Sequence, residues 1–116
     1  GKTPFYIRRR DAQPFAVAGL WEKWGKEKTI ASATLLTTTA NAQVQAIHDR
    51  MPVILSAEHF KTWLDVETTP PQLKALLGAA PENFLEAFAV SRHVNNPRHD
   101  DTQCLTPAAD SKLIQT

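Results

Sequence analysis

The stretch Ile47-His48-Asp49-Arg50-Met51-Pro52-Val53-Ile54-Leu55 sets the strongest limit on how this chain can fold. Pro52 disfavours helical backbone at Met51, so any helix arriving from the N-terminal side ends before it. Val53-Ile54-Leu55 then reads as a short buried strand. An imidazole, a carboxylate and a guanidinium are thus held where a helix or loop gives way to a core strand. Such a boundary can hold chemistry rigidly. It is also where capping groups and ordinary surface charge collect.

Outward from that boundary, Asn41 suits the N-cap of a short helix over 42–47. Residues 29–39, rich in Thr, Leu, Ile and Ala, read as a strand antiparallel to one ending at Glu22. Residues 5–10 form a β-type run, 11–14 a turn and 15–22 a second strand, a pattern that suggests a hairpin. After Leu55, Ser56 caps a helix with Phe60, Trp63 and Leu64 as its buried stripe. Thr69-Pro70 opens another, with Leu73, Leu76 and Leu77 inward and Gly78 at its end. Residues 86–91 are the last strand candidate, 92–98 a polar loop, and the tail from about residue 102 is irregular. The implied fold class is α+β: a mainly antiparallel twisted sheet or partial β-barrel with two or three flanking helices. With 116 residues, one domain spans 1–116.

The net charge is only +1, yet residues 1–28 hold seven basic groups against three acids. That asymmetry permits a polyanionic partner without demanding one. A single cysteine, Cys104, excludes an internal disulfide framework and fits a reducing, cytoplasmic setting. No apolar run approaches the length of a membrane span, and no secretory leader is expected. The chain runs from Gly1-Lys2-Thr3-Pro4 straight into a strand-like segment, which reads as a start inside a larger domain.

Two places carry chemistry. On the strand over 15–22, Glu22 shares a face with Ala16, Ala18 and Leu20. A carboxylate among such neighbours is partly desolvated, the condition under which carboxylic acids serve in proton transfer; alternatively it swings into water at the strand end. The second place is His48-Asp49-Arg50, with Arg50 able to hold a phosphate by its planar fork. Trp21 and Trp24, interleaved with lysines, suit stacking on single-stranded nucleic acid, or stand as a core and a rim tryptophan beside a charged turn. The spacing of His93, His99 and Cys104 lacks the paired pattern of zinc sites, so neither a metal nor another cofactor is expected.

Taken together, Phe15-Ala16-Val17-Ala18-Gly19-Leu20-Trp21-Glu22-Lys23-Trp24, Leu36-Thr37-Thr38, Ile47-His48-Asp49-Arg50-Met51-Pro52-Val53 and Val90-Ser91-Arg92-His93-Val94-Asn95-Asn96 resemble the SOS-response-associated peptidase (SRAP) family, in order and with fitting spacing. The resemblance covers about residues 3–101. It implies an SRAP-like fold and a DNA-damage-response role, with peptidase and lyase associations. Members of the family cross-link covalently to abasic sites in single-stranded DNA: an N-terminal cysteine attacks the sugar aldehyde, and its amine and thiol close a thiazolidine. On this resemblance Glu22 and His48 are the catalytic glutamate and histidine, and Arg50 the phosphate-holding arginine. Thr38, Trp21, Arg92, Asn95 and Asn96 are further candidates for the DNA groove. The implied partner is single-stranded DNA with abasic sites, with no membrane partner and a nucleoid-associated location.

The departures are as informative. The nucleophilic cysteine is missing here, and Cys104 cannot replace it, because ring closure needs a free amine on the same residue. The family's Asn-Ala-Arg-type segment is also missing, and Asn41-Ala42-Gln43 lies in a different place in the pattern. The expectation is therefore a partial SRAP domain, inactive alone, with exposed strand edges open to self-association.

Overall fold

The computed structural model describes residues 3–109 and the backbone of Leu113–Ile114. In chain order the strands are β1 (Phe5–Arg9), β2 (Ala16–Val17), β3 (Gly19–Trp24), β4 (Ile30–Leu35), β5 (Thr37–Thr39), β6 (Arg50–Pro52), β7 (Ile54–Leu55), β8 (Leu85–Ala89) and β9 (Leu113–Ile114). The α-helices are short: α1 (Ala42–Gln45), α2 (Phe60–Leu64) and α3 (Pro70–Lys74). Among the described residues every strand pairing is antiparallel, so the architecture is α+β with antiparallel sheets and few helices. The chain forms two compact units, one from residues 15–80 and one from 1–14 with 81–116. Among the described residues no helix is long and apolar enough to cross a membrane.

The unit over 15–80 is organised by three interruptions. The extended runs β2–β3, β4–β5 and β6–β7 break at Ala18, Leu36 and Val53 respectively, and each run changes partner at its break. Thus β2 pairs with β7, β3 with β4, and β5 with β6. The break residues close a ring of backbone hydrogen bonds. The Ala18 amide donates to the Val53 carbonyl (2.8 Å), the Val53 amide to the Leu36 carbonyl (2.9 Å), and the Leu36 amide to the Ala18 carbonyl (2.9 Å). Six backbone polar groups that a strand break would orphan in the core are paired in this way. Ala18 (0% exposed) and Val53 (1%) are buried with Leu55, and Leu36, Trp63 and Leu76 pack on them. The Trp63 indole N–H donates to the Gly19 carbonyl at 3.2 Å, which lets its ring enter the core without stranding a donor.

Beyond the ring, β3 and β4 run out as an exposed hairpin from Gly19↔Leu35 to Trp24↔Ile30. Its turn needs Gly25: φ is 107°, and a Cβ there would meet the Lys28 carbonyl oxygen at 2.1 Å.

Local signals gave the helix starts more faithfully than their extents. The Asn41 side chain accepts from the Val44 amide at 2.9 Å, as expected of an N-cap. However, α1 stops at Gln45 instead of reaching residue 47, and the Ile47 amide closes a tighter turn onto the Val44 carbonyl. In α2 only Trp63 reaches the core; Phe60 and Leu64 are exposed, because a helix this short presents one residue to the junction beneath it. Similarly, α3 ends at Lys74, ahead of Gly78, and Leu77 keeps 37% of its surface exposed.

In the other unit β8 is the central strand, in the order β1-β8-β9. The expected hairpin between residues 5–10 and 15–22 does not form: β1 pairs with β8 from Phe5↔Ala89 to Arg9↔Leu85. The turn at 11–14 is real, with the Ala12 amide on the Arg9 carbonyl (2.9 Å) and the Asp11 carboxylate accepting from the Gln13 amide (3.1 Å). The chain leaving it goes to β7 instead of back along β1. β8 offers β1 a better match, with Leu85 and Ala87 buried on one face. On the other face Arg8 meets Glu86 at 3.4 Å and Tyr6 packs edge-on against Phe88. The last strand is β9, beyond the one expected, and residues 102–105 form a 3-10 turn in the stretch read as an irregular tail.

Candidate functional site

His48 and Arg50 are placed by α1 and by the β5–β6 ladder. Asn41 anchors this region: besides capping α1, its side-chain amide donates to the Ala80 carbonyl (3.0 Å) and its backbone amide to the Met51 sulfur (3.4 Å). The His48 amide then bonds back to the Val44 carbonyl at 2.9 Å, and the Ala40 amide to the Asp49 carbonyl at 3.0 Å. The three polar residues are therefore fixed through their backbone while their side chains stay in solvent, His48 being 67% exposed.

One nitrogen of His48 has two neighbours. Nδ1 lies 3.0 Å from the Arg50 amide, which donates to it, and 3.1 Å from Asp49 Oδ1. These are alternatives. A bare Nδ1 accepts from the amide and leaves the proton on Nε2. A protonated Nδ1 faces the carboxylate and gives up the amide. In the first state the ring presents an Nε2–H to solvent as a hydrogen-bond donor.

Arg50 lies opposite Thr39 in the ladder, and its Nη2 donates to Thr37 Oγ1 at 3.0 Å. By strand alternation Arg50, Thr39 and Thr37 share one face, while Thr38 shares the other with buried Met51. Thr37, which the sequence reading passed over, is the residue that steadies the guanidinium. The register puts Thr37 and Thr39 on the Arg50 face, and the hydrogen bond singles out Thr37.

Glu22 sits on β3 opposite Ser32, in an open depression lined by Leu20, Trp21, Glu22, Ser32, Ala33 and Thr34. Of the two alternatives for Glu22, the solvated one holds: the residue is exposed. The strand is broken at Ala18, so Ala16 belongs to a different ladder, and Leu20, which stays beside Glu22 on β3, is itself exposed. Trp21 is 68% exposed, with the Lys23 ammonium 5.8 Å from its ring centroid, and by alternation it lies on the face opposite Glu22. His48 is not among the residues lining the Glu22 depression.

Arg92 and Asn95 lie on an exposed 3-10 turn, Arg92–Asn95, in the unit formed by the chain ends. Asn96 follows it and spends its side-chain oxygen on the Arg98 amide (2.9 Å). On the same loop a hydrogen bond from the His93 ring holds the Asp101 carboxyl below its ordinary value, helped by the charge of His93 and the Gln103 amide and opposed by desolvation.

Comparison with known proteins sets these positions in a family. Residues 1–97 match the SOS response associated peptidase (SRAP) family. The chain is 38% identical over 107 residues to the abasic site processing protein YoaM of Bacillus subtilis, covering 90% of this chain and 47% of that protein. Against the abasic site processing protein YedK of Escherichia coli it is 31% identical over 109 residues, covering 91% and 49%. A crystal structure of a protein from Bacteroides thetaiotaomicron superposes with a TM-score of 0.81 at 22% identity, over 93% of this chain and 50% of that one, a likeness of fold. The chain thus spans about half the length of the curated relatives it matches.

Proposed function

The chain belongs to the SOS response associated peptidase family, and from that membership we propose that it forms part of a protein that processes abasic sites in single-stranded DNA. The observation that carries this reading is the paired placement of Arg50 and His48. The guanidinium, steadied on Thr37, holds a phosphate; the imidazole beside it, with Nδ1 on the Arg50 amide, offers its other edge to the sugar.

The chemistry then divides among groups. An amine attacks the C1′ aldehyde of the ring-opened sugar, water leaves with a proton from an acid, and a thiol adds to the imine carbon as its proton passes to nitrogen. His48 serves ring opening, donating to or accepting from the sugar oxygen. Glu22 carries protons in imine formation, as a water-exposed carboxylate and not as a desolvated one. Trp21 stacks on a base next to the lesion, and Arg92, Asn95 and Asn96 extend the DNA contacts. The amine and thiol of one residue are supplied from outside these 116 residues, since Cys104 is the only cysteine and lies within the chain. The 116 residues alone then bind DNA without cross-linking it. With DNA as the partner, the place of action is the nucleoid.

The test uses abasic single-stranded oligonucleotides. Binding followed by fluorescence anisotropy weakens with salt, and Arg50→Ala lowers the log–log salt slope by about 0.7, the share of one phosphate contact on a single strand. An unchanged slope overturns the role of Arg50. A denaturation-resistant protein–DNA band from the 116-residue chain overturns its inactivity.

A second reading is favoured by the exposed Trp21, Trp24 and Leu35 of the β3–β4 hairpin: a non-catalytic, DNA-binding or self-associating form. It predicts a mass that rises with concentration, and DNA affinity equal for abasic and intact strands.

A further inference from the structure

The loop closing the unit of the chain ends brings a nitrogen, an oxygen and a sulfur together. The 3-10 turns Arg92–Asn95 and Thr102–Leu105 pack against each other. Ligand atoms of His93, Asp101 and Cys104 then all lie within 4.8 Å of one another. We propose that His93, Asp101 and Cys104 form a binding site for one zinc-type divalent cation.

The geometry needs little change. Tetrahedral bonds of about 2.0–2.3 Å put ligand atoms roughly 3.3–3.8 Å apart, so the set closes with shifts of about an ångström. His93 Nε2 lies 3.0 Å from both Asp101 oxygens, and the proton shared there occupies the place a cation would take. The ligands are held by their surroundings. Asp101 Oδ1 also accepts from the Gln103 amide at 3.0 Å. The His99 ring stacks on His93 at 3.7 Å, nearly parallel, and its Nδ1 donates to the His93 carbonyl at 2.7 Å. His99 thus sets the plane of the ligand ring instead of binding, a supporting role that metal sites depend on. The Cys104 thiol donates to the His99 carbonyl at 3.6 Å. On binding, that proton leaves to buffer and the thiolate becomes the ligand.

One sulfur, one nitrogen and one carboxylate oxygen suit zinc over calcium or magnesium, which take oxygen alone. A water fills the fourth position. Spacing of histidines and cysteine along the chain argued against a metal because it omitted Asp101, which the fold supplies.

The 116-residue chain, reduced and metal-free, is titrated with Zn2+ by calorimetry and with Co2+ by absorbance. One Zn2+ per chain and a thiolate-to-cobalt charge-transfer band are expected. Cys104→Ser abolishes the band. His93→Ala weakens Zn2+ binding by about tenfold or more, at least the loss seen when a supporting partner of a metal site is removed. Asp101→Asn keeps the side-chain shape and the acceptor for the Gln103 amide. It weakens Zn2+ while retaining the band, and it decides the matter if circular dichroism shows that Cys104→Ser does not fold. No thiolate band in the unmodified chain, or Zn2+ affinity unchanged in His93→Ala and lost with His48→Ala or His59→Ala, overturns the proposal.

Discussion

The ring at Ala18, Leu36 and Val53 and the β3–β4 hairpin are built from the same strands, yet they behave as opposites. At the ring two of the three residues are almost wholly buried, and each backbone group has a partner on a different run. A few residues outward, every position from Leu20 to Leu35 is exposed. The contrast teaches where rigidity comes from in a small domain. The ring holds the inner ends of three strands, and the groups offered for chemistry, Glu22 and Arg50, sit on the outer lengths. Precision at a solvent-exposed side chain is then borrowed from a buried backbone junction.

Substitutions can test that division. The largest effect is expected from Met51→Ala, two residues from Val53 and buried to 2% exposure, which should cost about 2–5 kcal/mol in urea unfolding. Ala18→Val, which forces two methyl groups into the ring's centre, should cost about 1–3 kcal/mol. Asn41→Ala removes the α1 cap and the bond to Ala80 and should cost roughly 0.5–2 kcal/mol. On the hairpin, Leu35→Ala should stay within about 0.5 kcal/mol. If it matches Met51→Ala, the division between ring and hairpin fails.

The smallest expected effect lies outside both regions and serves as a control. The Gln13 amide, then Arg9, lower the Asp11 carboxyl below its ordinary 3.8, against desolvation. A depressed folded value means that the contribution is complete above 3.8 and is lost as pH falls through the lower folded value. Asp11→Asn should therefore lower stability slightly at neutral pH and flatten its acid limb, while leaving the difference between ring and hairpin variants unchanged.

Sequence reading succeeded where the signal was local. Asn41 at the head of residues 42–47 announced its cap, and the run over 29–39 announced a strand antiparallel to the one carrying Glu22. It missed what depends on distant partners. β1 and β8 lie at opposite ends of the chain, and nothing near Arg9 tells that Leu85 waits for it. The strand breaks were invisible, because alanine, leucine and valine all occur inside unbroken strands and none of them marks a break. Three consecutive threonines look alike in sequence; the register excludes Thr38 from the Arg50 face, and the hydrogen bond shows that Thr37 is the one engaged. For Glu22 the sequence left a desolvated and a solvated alternative open, and the break at Ala18, which alternation does not show, decides for the solvated one.

The shared nitrogen of His48 has one more consequence. Whichever hydrogen it holds or lacks, the peptide group opening β6 registers the difference, because that amide has Nδ1 as its acceptor. Charge on the imidazole is thereby transcribed into the main chain of Arg50, so a nuclear magnetic resonance experiment watching one backbone N–H reads the protonation of a side chain next door.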